Sequence, residues 1–224
     1  MKNFMPDDRL IVALDVPSLK EAEVLLQKLK GTVSYYKVGL RLFTAEGPKV
    51  IKVVQDFGAQ VFLDLKFHDI PNTVAQACES AMNLSVSMLN LHATGGREML
   101  EAAVKAVNKK AKLVGVTVLT SDAGDREAKV VELARLCKES GLDGVVCSAQ
   151  EAAAVRKSCG PDFLIVTPGI RPASYGKSDD QKRVETPAGA IQAGSNYLVI
   201  GRPILQDPDP LAIARQILQE IRVS

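Results

Sequence analysis

The sequence predicts a single-domain α/β fold, a (β/α)8 or TIM barrel over residues 1–224. Short apolar runs alternate with helical stretches from end to end. Eight such runs can be delimited, the number a barrel of this kind requires. No composition shift, linker, short-period repeat or low-complexity segment divides the chain.

The expected strands are Leu10–Asp15, Tyr35–Gly39, Gln60–Lys66, Ser87–His92, Leu113–Thr120, Gly144–Ser148, Phe163–Pro168 and Tyr197–Gly201. Several are almost wholly apolar, as strands covered on both faces of a parallel sheet are. Helices fall between them. Leu19, Ala22, Leu26 and Leu29 follow helical spacing behind a Ser18–Glu21 capping box. Val130, Leu133, Ala134 and Cys137 recur with the same spacing, as do Ala214, Ile217, Leu218 and Ile221. Thr186-Pro187 and Asp209-Pro210 have the form of an N-cap followed by a first-turn proline. The structural alternative is an open doubly wound sheet. One that bound a dinucleotide would usually carry Gly-x-Gly-x-x-Gly after its first strand; Asp15-Val16-Pro17-Ser18 stands there instead.

Composition narrows the functional classes. Apolar residues make up 46% of the 224, enough for a sizeable core. The 28 basic and 26 acidic residues leave a net charge of +2, too little for a nucleic-acid binder that relies on bulk charge. The longest apolar runs are far too short to span a bilayer. Met1–Asp8 holds no apolar stretch of signal-peptide length, so a cytoplasmic location is expected. Cysteines 78, 137, 147 and 159 form no Cys-x-x-Cys pair and are expected as reduced core thiols.

In a barrel, active sites gather at the C-terminal strand ends. Those ends carry Asp15, Lys37, Asp64 with Lys66, His92, Thr120 with Ser121, Pro168 with Arg171, and Gly201 with Arg202. Asp64 and Lys66 follow the apolar Val61-Phe62-Leu63, and strand alternation points both the same way. An unpaired buried charge costs several kcal/mol, so this pair, with Lys37 and Asp69, is expected to form a charge array. Asp15 also suits a turn, His92 also suits a hydrogen-bonded core histidine, and His68 reads as a loop residue. Thr167-Pro168-Gly169-Ile170-Arg171 and Ile200-Gly201-Arg202-Pro203 combine glycine with arginine after strands seven and eight, where barrels commonly bind phosphate. The polar stretch from Pro172 to Arg183 between them suits a lid.

Asp64-Leu65-Lys66-Phe67-His68-Asp69-Ile70-Pro71-Asn72-Thr73 resembles the signature of the orotidine 5′-phosphate decarboxylase family over all ten positions. Leu14-Asp15, Lys37-Val38-Gly39, Val118-Leu119-Thr120-Ser121 and the two glycine–arginine blocks resemble its other motifs, in its order. The resemblance implies decarboxylation of orotidine 5′-monophosphate to uridine 5′-monophosphate in pyrimidine biosynthesis, with no cofactor, no metal, and a homodimer with shared active sites. Carried over by position, it implies that Asp15 and Lys37 hold the ribose, with His92 nearby. Asp64 would lie against the substrate carboxylate and Lys66 would donate the proton. Asp69 and Thr73 would reach the neighbouring subunit's site. Thr120 and Ser121 would sit near the base, Arg171, Gln181, Gly201 and Arg202 would hold the phosphate side, and Pro168 is a further substrate-binding candidate. The Arg171–Gln181 spacing is one residue longer than the family's common bacterial pattern. Two other classes stay open: a metal-dependent sugar-phosphate lyase or decarboxylase of the same superfamily, and a non-catalytic phosphate-binding barrel.

Overall fold

Alternation along each strand sends its side chains into two different cores, one inside the barrel and one between the strands and the helices. The computed structural model describes residues 7–118, 126–172, 175 and 185–223. The strands are β1 (Leu10–Ala13), β2 (Tyr35–Gly39), β3 (Gln60–Phe67), β4 (Met88–His92), β5 (Lys112–Val116), β6 (Gly144–Val146), β7 (Leu164–Pro168) and β8 (Tyr197–Ile200). Each pairs in parallel with the next. β8 returns to β1 through Leu10–Leu198, Ile11–Val199 and Val12–Ile200, so the barrel is closed and the open sheet is ruled out.

The helices are α1 (Leu19–Leu29), α2 (Leu40–Glu46), α3 (Lys49–Asp56), α4 (Pro71–Met82), α5 (Gly96–Val107), α6 (Arg126–Glu139), α7 (Ala149–Cys159), α8 (Pro187–Gln192), α9 (Arg202–Leu205) and α10 (Pro210–Arg222). The predicted caps form. Ser18 accepts from the Glu21 N–H, Thr186 from Gly189 and Asp209 from Ala212. The Glu21 carboxylate, however, takes the Ser18 hydroxyl, an arrangement that differs from the reciprocal bond to the Ser18 N–H in a full capping box. On α10, Ala214, Ile217, Leu218 and Ile221 are all buried. Burying a large aliphatic side chain contributes about 1.5–3 kcal/mol, against the few tenths separating most helix propensities. Packing against the barrel is therefore what holds these helices.

Strand ends differ from expectation where another interaction takes the chain. β6 stops at Val146 because Ser148 caps α7, accepting from the Gln150 N–H. β1 stops at Ala13, although the Leu14 N–H still donates to the Lys37 carbonyl at 2.9 Å. β5 runs from Lys112 to Val116, and the Thr120 end expected for it lies outside the described residues. All four cysteines are free and buried, as expected.

Ile11, Ala13, Tyr35, Phe62, Met88, Val114, Val166 and Val199 fill the barrel interior. The intervening residues, such as Leu10, Val12, Tyr36 and Leu63, belong to the larger core outside the sheet, with the buried faces of the helices. Phe62 and Met88 form part of the plug beneath the site. One inward position further along β2, β3 and β4 come Lys37, Asp64 and Asn90, so the polar cluster rests on an apolar floor.

Gly144 marks a tight point of the barrel. A methyl group there would run into the carbonyl and Cβ of Leu164 on β7. Gly144→Ala is expected to destabilise the protein by about 1–3 kcal/mol, as overpacking does. Urea denaturation would show it as a lower midpoint at unchanged slope; an unaltered midpoint would mean that β6 and β7 can separate freely.

Candidate active site

At the C-terminal end of the barrel, the Asp64 carboxylate is shared by three donors. The Lys37 ammonium meets Oδ2 at 3.0 Å and the Lys66 ammonium meets Oδ1 at 2.5 Å. Asn90 Nδ2 donates to the same Oδ1 at 2.7 Å. Lys37 also bonds Asp15 at 3.1 Å, giving the chain Asp15–Lys37–Asp64–Lys66. Lys37 and Asp64 are both 8% exposed, so neither charge could stand there alone.

The electrostatics follow from this sharing. Burial pushes the Asp64 carboxyl up, but the Lys37 and Lys66 ammonium groups outweigh it and hold it below the usual carboxylate range. Burial likewise pulls Lys37 down, and Asp64 and Asp15 more than restore it, so its pKa is raised. Both partners shift toward the charged form.

Strand β3 reaches this arrangement through a bulge. Leu63 pairs with Leu89 and Phe67 with Leu91, so four steps on β3 face two on β4. Lys66, inside the bulge, has φ +52, a left-handed conformation that costs a non-glycine residue roughly 1–2 kcal/mol. Asp64 and Lys66 therefore converge, but by a strained turn and not by the regular alternation expected from sequence. The Asn90 side chain accepts the Lys66 N–H at 2.9 Å. Gly39 leaves the space needed on β2: a Cβ there would lie 2.8 Å from Lys37 Nζ and 3.4 Å from Asp15 Oδ1.

These groups line a cavity of about 340 Å3, within the range typical of small-ligand sites. Pro168, Gly169 and Arg171 from the end of β7, and Gly201 and Arg202 from the end of β8, complete its far wall. Among the described residues, four cations (Lys37, Lys66, Arg171, Arg202) line the cavity against two acids (Asp15, Asp64), a balance suited to an anionic ligand. The parallel bridge between Ile170 and Glu185, with the Arg171 N–H donating to the Glu185 carbonyl at 2.9 Å, ties together the two flanks of the segment expected as a lid. Gln181 and most of that segment lie outside the described residues, as do Thr120 and Ser121.

Three other sequence candidates stand apart from this wall. Asp69 and Thr73 are exposed, and Asp69 accepts from the neighbouring Ile70 N–H at 2.7 Å. His92 is partly buried, with its ring 5.3 Å from that of His68. Burial lowers its pKa, and the nearby His68 and Lys66 lower it further. Sequence reasoning missed Asn90 and the spatial need for Gly39. A polar residue at an inward position of an otherwise apolar strand, Met88-Leu89-Asn90-Leu91, was the available signal for Asn90.

Fold and site together define a (β/α)8 barrel enzyme acting on a small anionic substrate. The chain belongs to the orotidine 5′-phosphate decarboxylase / HUMPS family, whose model matches residues 8–217. It is 50% identical over 230 residues to the orotidine 5′-phosphate decarboxylase of Trichlorobacter lovleyi, covering 96% of this chain and 95% of that one. The Moorella thermoacetica protein of the same name is 49% identical over 237 residues, covering 96% and 93%. The crystal structure of orotidine 5′-phosphate decarboxylase from Lactobacillus acidophilus matches with a TM-score of 0.83 at 36% identity, over 96% of this chain and 99% of that one.

The charge chain has a pH signature. Asp64 has a lowered folded-state pKa, so its contribution to stability is complete above the unfolded carboxylate value of about 3.9. It is lost as pH falls from there through the folded value. Asp64→Asn, which leaves two ammonium groups around a neutral amide, is expected to cost about 3–5 kcal/mol at pH 7. The gap between wild type and variant should begin to narrow as pH drops below about 4, by about 1 kcal/mol by pH 3. Denaturant midpoints measured from pH 7 down to 3 would test this, and a gap independent of pH would show that Asp64 is not the ionised centre.

Proposed function

We propose that this protein decarboxylates orotidine 5′-monophosphate to uridine 5′-monophosphate, the closing step of pyrimidine nucleotide synthesis, as a single catalytic barrel over residues 1–224. The observation that carries this is the Asp64 carboxylate held between Lys37 and Lys66, within a cavity whose described lining carries four cations against two acids. A nucleotide with a phosphate and a ring carboxylate matches such a lining.

Arg171, Gly201 and Arg202 take the phosphate, with Gln181 of the lid. Arginine offers a bidentate fork to its oxygens. Asp15 and Lys37 hold the ribose beside His92, while Thr120 and Ser121 face the base and Pro168 packs at the cavity edge. Asp64 then lies against the carboxylate at C6. Phosphate binding at a distance from the reacting bond offsets the cost of that like-charge contact. Loss of CO2 leaves the C–C electron pair on C6, where the ring cannot readily delocalise it. The Lys66 ammonium stabilises this charge and transfers a proton to C6, and water later restores the lysine's proton. No cofactor enters.

Asp69 and Thr73 serve the site of a second copy. Their exposure away from their own cavity, next to Ile70 at 66% exposure, supports a homodimer with shared sites. Among the described residues, no helix is long and apolar enough to cross a membrane. With a net charge of +2, this suits a cytoplasmic enzyme without nucleic-acid partners.

The reaction is followed by the ultraviolet change as orotidine 5′-monophosphate is consumed, with and without EDTA. Turnover unaffected by chelator is expected. Turnover abolished by EDTA and restored by Mg2+ would instead establish the metal-dependent lyase chemistry of the wider superfamily. Lys66→Ala should lower kcat by at least 10²–10³-fold, the effect of removing one transition-state donor, while leaving affinity for uridine 5′-monophosphate nearly intact. Near-normal turnover in a folded variant would remove Lys66 from the mechanism.

Shared sites give a second test. Inactive Lys66→Ala and Asp69→Ala chains are mixed and allowed to exchange subunits. In each mixed dimer one site collects both defects and the other neither. Under two-fold symmetry about a quarter of all sites regain activity. No recovery after confirmed exchange would place Lys66 and Asp69 of one chain in one site.

A further inference from the structure

We infer that Asn90 is the positioning residue of the site: one amide holds both the strained Lys66 backbone and the Asp64 carboxylate. The inference rests on the decarboxylase function proposed above and extends it to a residue on a different strand.

Asn90 sits at the centre of β4, 1% exposed, directly above the Met88 floor. The bulge in β3 leaves Lys66 between the two registered pairs, Leu63–Leu89 and Phe67–Leu91. The Lys66 N–H donates to Asn90 Oδ1 at 2.9 Å, where the partner is a side chain and not a strand carbonyl. A left-handed lysine at φ +52 persists only where its surroundings fix it. The other half of the same amide, Nδ2, donates to Asp64 Oδ1 at 2.7 Å. That oxygen is also the one Lys66 Nζ meets at 2.5 Å. Asn90 thus closes a ring through the Lys66 backbone, the Lys66 ammonium and the Asp64 carboxylate.

The chemistry of the amide matters here. It presents one acceptor and two donors in a fixed plane. A carboxylate of the same shape keeps the acceptor and loses the donor, placing like charge against Asp64. Leucine has similar bulk and neither function. A longer side chain would overfill a position already buried against the floor. The amide also adds no charge, so the balance among Asp15, Lys37, Asp64 and Lys66 is undisturbed. With Asn90 in place, the ammonium stands where charge develops before substrate arrives, which is the preorganisation that electrostatic catalysis requires.

The test uses Asn90→Asp and Asn90→Leu in the full-length protein. Three measurements are made: the kcat and KM split, the pH profile of kcat, and the crystal structure of each variant. Both variants are expected to bind uridine 5′-monophosphate within a few-fold of wild type, because the phosphate grip lies on β7 and β8. Their kcat should fall 30-fold or more, with KM little changed. In Asn90→Asp the new carboxylate faces Asp64, so one of the two retains a proton to higher pH. The acid limb of kcat should therefore move up by a pH unit or more, which a loss of general stability would not cause. The Asn90→Leu structure should show Lys66 out of the left-handed region or its ammonium away from Asp64. If Asn90→Leu does not fold, the Asn90→Asp limb and structure decide the matter. Variants that keep Lys66 in place and turn over within threefold of wild type would overturn the inference. Should wild type fail to decarboxylate the nucleotide, the proposed function falls, and the Lys66 geometry of the variants still decides the role of Asn90.

Discussion

The Asp64 carboxylate is the point on which the rest of the site depends. It is buried, it is charged, and its stability there requires every neighbour that surrounds it. Two ammonium groups and one amide share its two oxygens. Remove any one and the desolvation cost of the others is no longer balanced. Each demand can be followed outward. Lys37 needs Asp15 as a second partner and Gly39 as a neighbour without a side chain. Lys66 needs a bulge to turn back on Asp64, and the bulge in turn leaves a backbone N–H that Asn90 satisfies.

The barrel makes this affordable by separating stability from chemistry along one axis. Below the site, Phe62, Met88 and Val114 fill the interior and keep water out of the plug. Around it, the outer core of strands and helices supplies the hydrophobic stabilisation. Strand β3 serves both: Val61 and Leu63 pack outward, Phe62 and Asp64 face inward, and only beyond Leu63 does the register break. Strain is thus confined to a few residues at the strand end, held by a rigid scaffold. The cation excess at the cavity is equally local, in a chain whose overall charge is only +2.

Alternating apolar runs carry the fold in the sequence itself, because strands buried on both faces and helices buried on one leave different periodicities. The eight strands, the spacing in α6 and α10, and the caps at Ser18, Thr186 and Asp209 were legible for this reason. Individual boundaries were less so. At Ser148 a side-chain cap competes with the ladder for the same backbone, and a local pattern does not reveal which wins. The glycine–arginine blocks at Gly169–Arg171 and Gly201–Arg202 could be read as one wall, since a barrel brings the ends of adjacent strands seven and eight together. Asn90 could not be singled out so readily, because one polar residue in an apolar strand acquires meaning only from what lies across from it.

By itself, then, the sequence determined the barrel and the residue types available at its C-terminal rim: acids at 15, 64 and 69, lysines at 37 and 66, arginines at 171 and 202. These follow from local pattern, which composition and periodicity preserve. Tertiary structure alone decided which of them meet. It joined Asp15, Lys37, Asp64 and Lys66 into one chain of ion pairs, brought Asn90 into it, and turned Asp69 outward although only three residues separate it from Lys66. The physical reason is that pairing of buried charges depends on distances of a few ångströms between strands. Those distances are set by register, by the bulge in β3 and by the left-handed turn at Lys66, none of which the one-dimensional pattern encodes.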